Sequence, residues 1–261
     1  MARAENSHHD LLIIGTGGAG TAAAIRGAEL GARVAIAEGT VVGGTCVNVG
    51  CIPSKLLLEA AAHFHAARSS FPALASEARA AWQQAQARKG AVIERLRQEK
   101  YLDVLAGYEG VTLLRGEAAL LGAGRVRVGE AVVGARKVVI ATGAAPALPP
   151  VPGLAQGGAL TSTSAMELKV LPASLIVLGA GAVGLELGQA FARFGVKVTV
   201  IEAEARILPA EDPELSNALA NGTAPLTSSW NSAAKAYWSV RPSCRFPTHC
   251  SGAMYGSVPL V

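Results

Sequence analysis

The chain has 261 residues, of which 51% are hydrophobic and 16% charged, so we expect one large or two modest domains with sizeable cores. Its net charge of +4 includes no run of lysines or arginines, and therefore does not indicate a nucleic-acid partner. No apolar stretch reaches a membrane-spanning length, and the first ten residues lack the apolar core of a signal peptide. We therefore expect a cytoplasmic protein without a membrane partner.

Residues 10–38 predict a strand, a helix and a second strand, with a glycine-rich loop after the first strand. Gly15, Gly17 and Gly20 have the G-x-G-x-x-G spacing. The first glycine permits a tight turn, the second lets backbone approach a pyrophosphate, and the third lets the helix pack closely on the strand. Glu38 ends the second predicted strand, where its carboxylate can accept hydrogen bonds from a ribose diol.

Two cysteines, Cys46 and Cys51, follow this loop closely and precede a predicted helix. A structural disulfide across so short a loop would constrain the unfolded chain little. A zinc site would need two more ligands, for which His63 and His65 are the nearest candidates. With Pro53 near the first turn of the helix, a helix N-terminus would lower a thiol pKa, which favours a redox pair over these two alternatives.

The strand–loop–helix–strand plan recurs in residues 174–202, with glycines at 179, 181 and 184, and Glu202 at the end of the second strand. Gly179, Gly181 and Gly184 thus repeat the dinucleotide spacing. Two such copies indicate two dinucleotides, and the usual pair is FAD and a nicotinamide cofactor. We assign FAD to the first copy because it lies near the cysteines in the sequence.

The acid at the second copy bears on the choice of nicotinamide cofactor. Glu202 favours NADH, because its charge would repel the 2′-phosphate of NADPH. Arg206 lies close enough in the sequence to reach such a phosphate. NADPH and NADH therefore both remain open.

The segment "GGTCVNVGCIPSK", residues 43–55, resembles the redox-active disulfide motif of the class I pyridine nucleotide–disulfide oxidoreductases. That family includes dihydrolipoamide dehydrogenase, glutathione reductase and mercuric reductase. The segments "VVIATGAAPALPPVPG" and "GAGAVGLELG" match it as well, and the resemblance covers about residues 10–219. It implies an α/β fold with two Rossmann-like dinucleotide-binding units, and FAD with NADPH or NADH as cofactors.

The resemblance also implies catalytic roles. Cys51 would lie against the flavin as the charge-transfer thiolate, and Cys46 would be the interchange thiol that attacks or binds the substrate. Lys55 would sit near the flavin N5 atom and pair with Glu186. Without the resemblance, we would interpret these last two residues as a solvated lysine and a surface acid.

Further cofactor contacts follow from the same resemblance. Glu38 would hold the adenosine ribose of FAD, Gly44 and Thr45 would touch its phosphate or ribityl region, and Thr142 and Gly143 would pack beside it.

Several segments are typical of mercuric reductases, among them "GTCVNVGC" and the "KY" at Lys100–Tyr101. Hg(II) is a soft ion that prefers thiolates, so Cys46 and Cys51 would bind it transiently as the substrate. In contrast, "VTVIEAEARILP" resembles dihydrolipoamide dehydrogenase, whose substrate is a small dithiol. Glu202 also does not agree with the NADPH preference that is usual for mercuric reductases. We expect a mercury(II) reductase, with dihydrolipoamide dehydrogenase and an inactive nucleotide-binding fragment as alternatives.

We predict an FAD-binding domain over residues 8–150, with a helical insert near 53–105, and a partial NAD(P)-binding domain over 151–220. The insert is expected to pack on the FAD-binding domain and on a dimer mate.

Residues 221–261 do not continue the family pattern. We interpret them as out-of-frame translation or an erroneous gene end, with disorder of the tail as the alternative. Cys244 and Cys250 in this tail match no family site and are expected to have no role. The family's remaining NAD and FAD segments, and the interface domain through which its members form homodimers, are expected to be missing. The sequence therefore leaves open whether this chain is active and whether it dimerises.

Overall fold

The computed structural model describes the chain in four stretches: residues 8–154, 156–222, 229–231 and 234–239. They form a mixed α/β structure in which glycine loops join strands to helices. The predicted fold class, with Rossmann-like dinucleotide-binding units, is confirmed. In these stretches no helix combines the length and the apolar character needed to cross a bilayer.

The chain divides into two compact units. Within the described stretches, the first unit comprises residues 8–53 and 90–144. The second comprises residues 54–89 and the described residues from 145 onward.

The first unit contains these elements in chain order: β1 (His8–Ile14), α1 (Gly18–Glu29), β2 (Val34–Glu38), α2 (Gly44–Asn48), the start of α3 (Cys51–Ser70), the end of α4 (Ala78–Arg97), a π-helical turn (Gln98–Leu102), α5 (Asp103–Ala106), β3 (Val111–Arg115), β4 (Ala118–Gly122), β5 (Arg125–Val128) and β6 (Ala131–Ile140). The strands form a six-stranded sheet in the order β3-β2-β1-β6-β5-β4. β1 runs parallel to both β2 and β6, whereas β5 pairs antiparallel with β6 and β4.

The centre of this sheet is buried, which explains its continuous apolar sequence. Leu12 and Ile13 of β1 and Val34–Ala37 of β2 are at most 1% exposed. Parallel strands covered on both faces are typically uninterrupted apolar runs of this kind. Because the two strands are parallel, the loop after β1 and the acid that ends β2 lie at the same edge of the sheet.

The second unit contains these elements in chain order: the rest of α3, a 3-10 turn (Pro72–Glu77), the start of α4, α6 (Ser162–Met166), β7 (Ser174–Leu178), α7 (Ala182–Arg193), β8 (Lys197–Glu202), α8 (Pro213–Gly222), β9 (Ser229–Asn231) and β10 (Ala234–Ser239). β7 and β8 pair in parallel around α7, as the second dinucleotide pattern predicts. β10 pairs antiparallel with β8, and β9 with β10.

Residues 54–89 of the helical insert pack in the second unit. Sequence analysis expected the insert to pack on the FAD-binding domain and on a dimer mate, and the contact with a dimer mate stays a prediction. Trp82 is 1% exposed, and its ring centroid lies 5.3 Å from that of Phe191 and 5.2 Å from that of Phe194. Its indole nitrogen donates a hydrogen bond to the carbonyl of Leu168 at 2.8 Å. Helical periodicity shows which face of a helix is apolar but not which partner buries that face.

The structure describes only short parts of the tail, where it places β9 and β10. The interpretation of residues 221–261 as foreign to the family remains a prediction. Cys244 and Cys250, to which sequence analysis gave no role, lie outside the described residues.

Candidate functional site

The first glycine loop (residues 15–20) joins β1 to α1 in a conformation that requires glycine. Gly15 has a φ of +105°, and a Cβ there would overlap the carbonyl of Ala141. A Cβ on Gly20 would overlap the carbonyl oxygen of Gly15. The tight turn and the close helix–strand packing that the spacing predicts are both present.

Gly17 and Gly44 form a surface of bare backbone at the start of α1. Gly17 is the N-cap of α1, and none of the side chains that the structure describes caps this helix end. Gly44 has a φ of +65°, and a Cβ on it would overlap the Cα of Gly17. Thr45 follows in α2 with an exposed side chain. Close backbone beside a helix N-terminus suits a phosphate group.

Thr142 and Gly143 follow β6 and lie beside the first glycine loop. The backbone N–H of Ala141 donates to the carbonyl of Ile14 at 2.8 Å. A Cβ on Gly15 would come 3.2 Å from the Cα of Thr142, and Gly143, with a φ of +74°, has no neighbour within 4 Å of a Cβ position. The structure thus brings together the predicted contacts from residues 15–20, 44 and 142–143.

Glu38 ends β2 at this edge of the sheet, and its carboxylate accepts four hydrogen bonds. Oε1 accepts from the backbone nitrogen and the hydroxyl of Thr40, each at 2.9 Å. Oε2 accepts from the backbone nitrogen of Thr16 at 3.3 Å and from the Thr16 hydroxyl. Burial raises the pKa of Glu38, but these hydrogen bonds outweigh burial and hold the pKa below its ordinary value.

The second glycine loop (residues 179–184) repeats this geometry in the second unit. Gly179 has a φ of +102°, Gly181 is the N-cap of α7, and Gly184 is buried in that helix. Glu202 ends β8 and is 8% exposed, and its Oε2 accepts a hydrogen bond from the backbone nitrogen of Ala180 at 2.6 Å. The two sequence copies are therefore also structural copies.

Arg206, which sequence analysis considered for a cofactor phosphate, contacts the loop after β8. Its guanidinium donates to the carbonyls of Leu208 at 3.2 Å, Pro209 at 2.8 Å and Glu211 at 2.7 Å, and to the hydroxyl of Ser216. These contacts stabilise the loop, so Arg206 already serves a structural role that does not involve a phosphate.

Cys46 lies in α2, Cys51 begins α3, and both side chains are exposed. The two thiols are close enough that the charge of Cys51 and hydrogen bonding to it shift the pKa of Cys46. In the described part of the chain, no group of three or more His, Cys, Asp or Glu side chains is placed to hold a metal ion. The geometry is that of an accessible pair of neighbouring thiols.

Cys46 is exposed as a residue, but its thiol is partly covered, and this partial burial is the first cause that raises its pKa; the charge of Cys51 and the side-chain hydrogen bond to it follow. We expect Cys51→Ala to lower the pKa of Cys46, because it removes the last two causes. The thiolate is the nucleophile, so alkylation of Cys46 at neutral pH should become faster.

The measurement is the pH–rate profile of iodoacetamide labelling, with mass spectrometry of the peptide that contains Cys46. Because burial is the largest cause and persists, the midpoint should stay above that of an unstructured cysteine peptide. An identical profile in the parent chain and the variant would contradict the assigned cause.

Asn48, between the two cysteines, holds α2 through a network that sequence analysis missed. Its side-chain nitrogen donates to the carbonyls of Val42 at 3.0 Å and Gly44 at 2.9 Å. Its side-chain oxygen accepts from Nε of Arg97 at 3.0 Å and from a terminal nitrogen at 2.9 Å. Nothing in the sequence connects Asn48 with Arg97, since they lie on elements far apart in the chain.

Tyr101 is a second neighbour of the cysteines, and sequence analysis noted it only as part of a family resemblance. It lies in the π-helical turn, a local distortion often found at functional sites. A Cβ on Gly43 would come 3.5 Å from the ring carbon Cδ2 of Tyr101. Burial and the charge of Cys46 raise the pKa of the Tyr101 hydroxyl, which places it in the electrostatic surroundings of that thiol.

Lys55 and Glu186 form the predicted ion pair within the second unit. The Lys55 ammonium donates to both carboxylate oxygens of Glu186, at 2.6 and 2.7 Å. The side chains are 53% and 25% exposed, so solvent screens the pair and its effect on stability is small. The pairing is confirmed, and the role of Lys55 beside a flavin remains a proposal.

Two features of the first unit, the N-terminus of α1 and the acid that ends β2, have the positions that an FAD-binding unit requires. The N-terminus of α1 can receive a phosphate, because Gly17 carries no side chain there and no side chain of the described residues caps this helix end. Glu38 lies at the end of the next strand, as in dinucleotide-binding units generally.

Comparisons with known proteins agree with this geometry. Residues 9–223 match the family model of the pyridine nucleotide-disulphide oxidoreductases. The chain is 43% identical to a mercuric reductase of Staphylococcus aureus over 213 residues, which are 81% of this chain and 39% of that protein. It is 42% identical to a mercuric reductase of Streptomyces lividans over 221 residues, which are 82% of this chain and 46% of that protein.

Among solved structures, the chain is similar to the Cu(II) complex of the HOCl-induced flavoprotein disulfide reductase RclA from Escherichia coli. The TM-score is 0.68 at 33% sequence identity, and the match covers 81% of this chain and 46% of that chain. The chain thus spans less than half the length of these relatives.

Proposed function

Because this chain belongs to the pyridine nucleotide-disulphide oxidoreductase family, whose members use FAD and NAD(P)H, we propose that it is a flavin-dependent mercury(II) reductase. The observation that carries the proposal is the pair of neighbouring exposed thiols, Cys46 and Cys51, which follows a dinucleotide-binding glycine loop. Similarity to mercuric reductases of several bacteria supports this substrate over other members of the family.

The two thiols suit Hg(II) as a substrate. Hg(II) is a soft ion, and two neighbouring thiolates can bind it together. Cys46 would receive the ion as the interchange thiol, and Cys51 would share it. FAD, when bound, would supply the electron pair, taken from NAD(P)H, that reduces Hg(II) to Hg(0). In the cytoplasm, where we place the protein, the thiols would be kept reduced between turnovers.

Other residues would bind and orient the cofactors. The first glycine loop, Gly44 and Thr45 would hold the FAD phosphates, Glu38 its ribose, and Thr142 and Gly143 would pack beside it. The family resemblance alone assigns Lys55 to the flavin, and within the second unit Glu186 sets the position of its ammonium.

The second glycine loop would bind the nicotinamide cofactor, and we propose NADH over NADPH. Glu202 ends β8 and accepts a hydrogen bond from the backbone of the loop, and its charge there would repel a 2′-phosphate. Arg206 is engaged by loop carbonyls and by Ser216. This preference also favours one competing candidate, dihydrolipoamide dehydrogenase, because residues 198–209 resemble that enzyme and mercuric reductases usually prefer NADPH.

The test is oxidation of NADH and NADPH by the purified, FAD-loaded chain, with either Hg(II) in excess thiol or lipoamide. A yellow flavin spectrum should be present, and Hg(II) but not lipoamide should stimulate oxidation, with NADH as the better donor by about tenfold or more. Stimulation by lipoamide alone would show that the substrate is the dithiol and not Hg(II). The absence of bound flavin would favour the alternative that the chain is an inactive nucleotide-binding fragment. Light scattering on the same sample tests for the homodimer that the family resemblance implies.

A further inference from the structure

Thr16 joins three motifs of the first unit through one buried side chain. It lies between the first two glycines of the first glycine loop and is 0% exposed. Its hydroxyl donates to Oε2 of Glu38 and accepts from the backbone nitrogen of Gly43 at 3.1 Å. Gly43 has a φ of +109° and is the N-cap of α2, the helix that contains Cys46. The hydroxyl therefore connects the nucleotide loop, the acid of β2 and the cysteine segment (residues 43–51).

The second unit shows that this hydroxyl is not needed to build such a loop. Ala180 occupies the position equivalent to Thr16, between Gly179 and Gly181. Its backbone nitrogen donates to Glu202, as that of Thr16 donates to Glu38. The turn has nearly the same φ at its first glycine in both units, so the turn itself does not require the Thr16 hydroxyl.

We propose that Thr16 is a positioning residue that orients Glu38 toward the ribose of FAD and holds Gly43, and with it the start of the cysteine segment, against the nucleotide loop. The part that concerns FAD rests on the proposed function. The link between Thr16 and Gly43 does not depend on a cofactor.

The four hydrogen bonds to Glu38 assign different roles to its two threonines. A carboxylate has about four acceptor positions, and here all of them are used. A ribose diol can bind only when one threonine hydroxyl turns away. Thr40 is exposed and can turn its hydroxyl to water, whereas the buried Thr16 hydroxyl would lose its acceptor on turning from Glu38. Rotation of the whole Thr16 side chain would also take its oxygen away from the Gly43 nitrogen. The ribose would therefore replace the Thr40 hydroxyl on Glu38, and the Thr16 hydroxyl would stay bound to that carboxylate.

The test compares four variants of the full chain: Thr16→Val, which removes the hydroxyl at nearly constant volume; Thr16→Ala, which copies the residue at position 180; Thr16→Ser, which keeps a hydroxyl; and Thr40→Val as the matched control. Two quantities are measured. The first is the exchange rate of the Gly43 amide hydrogen without FAD, and the second is the dissociation constant for FAD by titration of the apoprotein.

In Thr16→Val and Thr16→Ala, we expect Gly43 to exchange at least about tenfold faster and FAD to bind about 5- to 30-fold more weakly. Thr16→Ser should restore both values, and Thr40→Val should leave Gly43 exchange unchanged and FAD binding no weaker. Unchanged Gly43 exchange in both hydroxyl-free variants, or equal losses in Thr16→Ser or Thr40→Val, would overturn the inference.

Two further outcomes keep the test decisive. If the parent chain does not bind FAD, the proposed function fails, and Gly43 exchange alone still decides whether Thr16 holds the cysteine segment. Should Thr16→Val not fold, Thr16→Ala decides the question in its place, because the second unit builds its loop with alanine.

Discussion

Gly20→Ala is expected to destabilise the first unit by at least about 3 kcal/mol, although alanine is normally the better helix former. A Cβ at position 20 would overlap the carbonyl oxygen of Gly15, with the carbonyl carbon only 3.0 Å away and Cγ2 of Ile13 at 3.4 Å. The first two atoms belong to backbone in a turn with a φ of +105°, so they cannot move aside as a flexible side chain would. To relieve the overlap, α1 would have to separate from β1.

Gly18→Ala is the matched control, because Gly18 lies in the same helix and, among the described residues outside its own helix backbone and chain neighbours, none comes within 4 Å of its Cβ position. We expect its stability to be unchanged or raised by up to about 1 kcal/mol. Urea unfolding followed by far-ultraviolet circular dichroism measures both variants against the parent chain. Similar midpoints for Gly18→Ala and Gly20→Ala would show that the loop adopts a looser turn than the one described.

Cys46→Ser and Cys51→Ser are each expected to weaken Hg(II) binding by at least about 100-fold and to abolish Hg(II)-dependent NADH oxidation. With one thiolate gone, Hg(II) loses the advantage of two tethered ligands, which typically amounts to a factor of about 100 to 10,000. The loss of affinity can be measured by equilibrium dialysis against graded concentrations of a small thiol, independently of any turnover.

A double variant, Cys244→Ser with Cys250→Ser, is the control for the chain's other two cysteines. We expect it to retain Hg(II) as the parent chain does, since neither residue matches a family site. If the double variant lost its Hg(II), or if Cys46→Ser retained it, the thiols that bind the substrate would lie outside the cysteine segment.

Much of the site could be predicted because it depends on residues close together in the chain. The turn at Gly15, the packing at Gly20 and the acid at the end of β2 are local properties of a strand–loop–helix–strand unit. The same reasoning predicted the second unit around α7. The Lys55–Glu186 pair is an exception, since family resemblance alone indicated it, and without that resemblance both residues have the pattern of ordinary surface charges.

The residues that sequence analysis missed are those whose role depends on a distant partner. Thr16 occupies a position that the dinucleotide motif leaves unspecified, and its role emerges only when Glu38 and Gly43 are both placed against it. The contact of Arg97 with Asn48 likewise crosses from α4 to α2.

The sequence alone thus determines the two strand–loop–helix–strand units with their glycine loops, and a pair of thiols beside the first of them, because apolar period, glycine sterics and helix starts act over a few residues. The tertiary structure alone decides that Trp82 and the helices around it pack in the second unit, and that one buried hydroxyl connects the nucleotide loop to the cysteine segment. Those arrangements depend on which surfaces meet when distant segments fold together. A chain's local pattern shows that a surface is apolar or that a donor needs a partner, but the partner itself is chosen only in three dimensions.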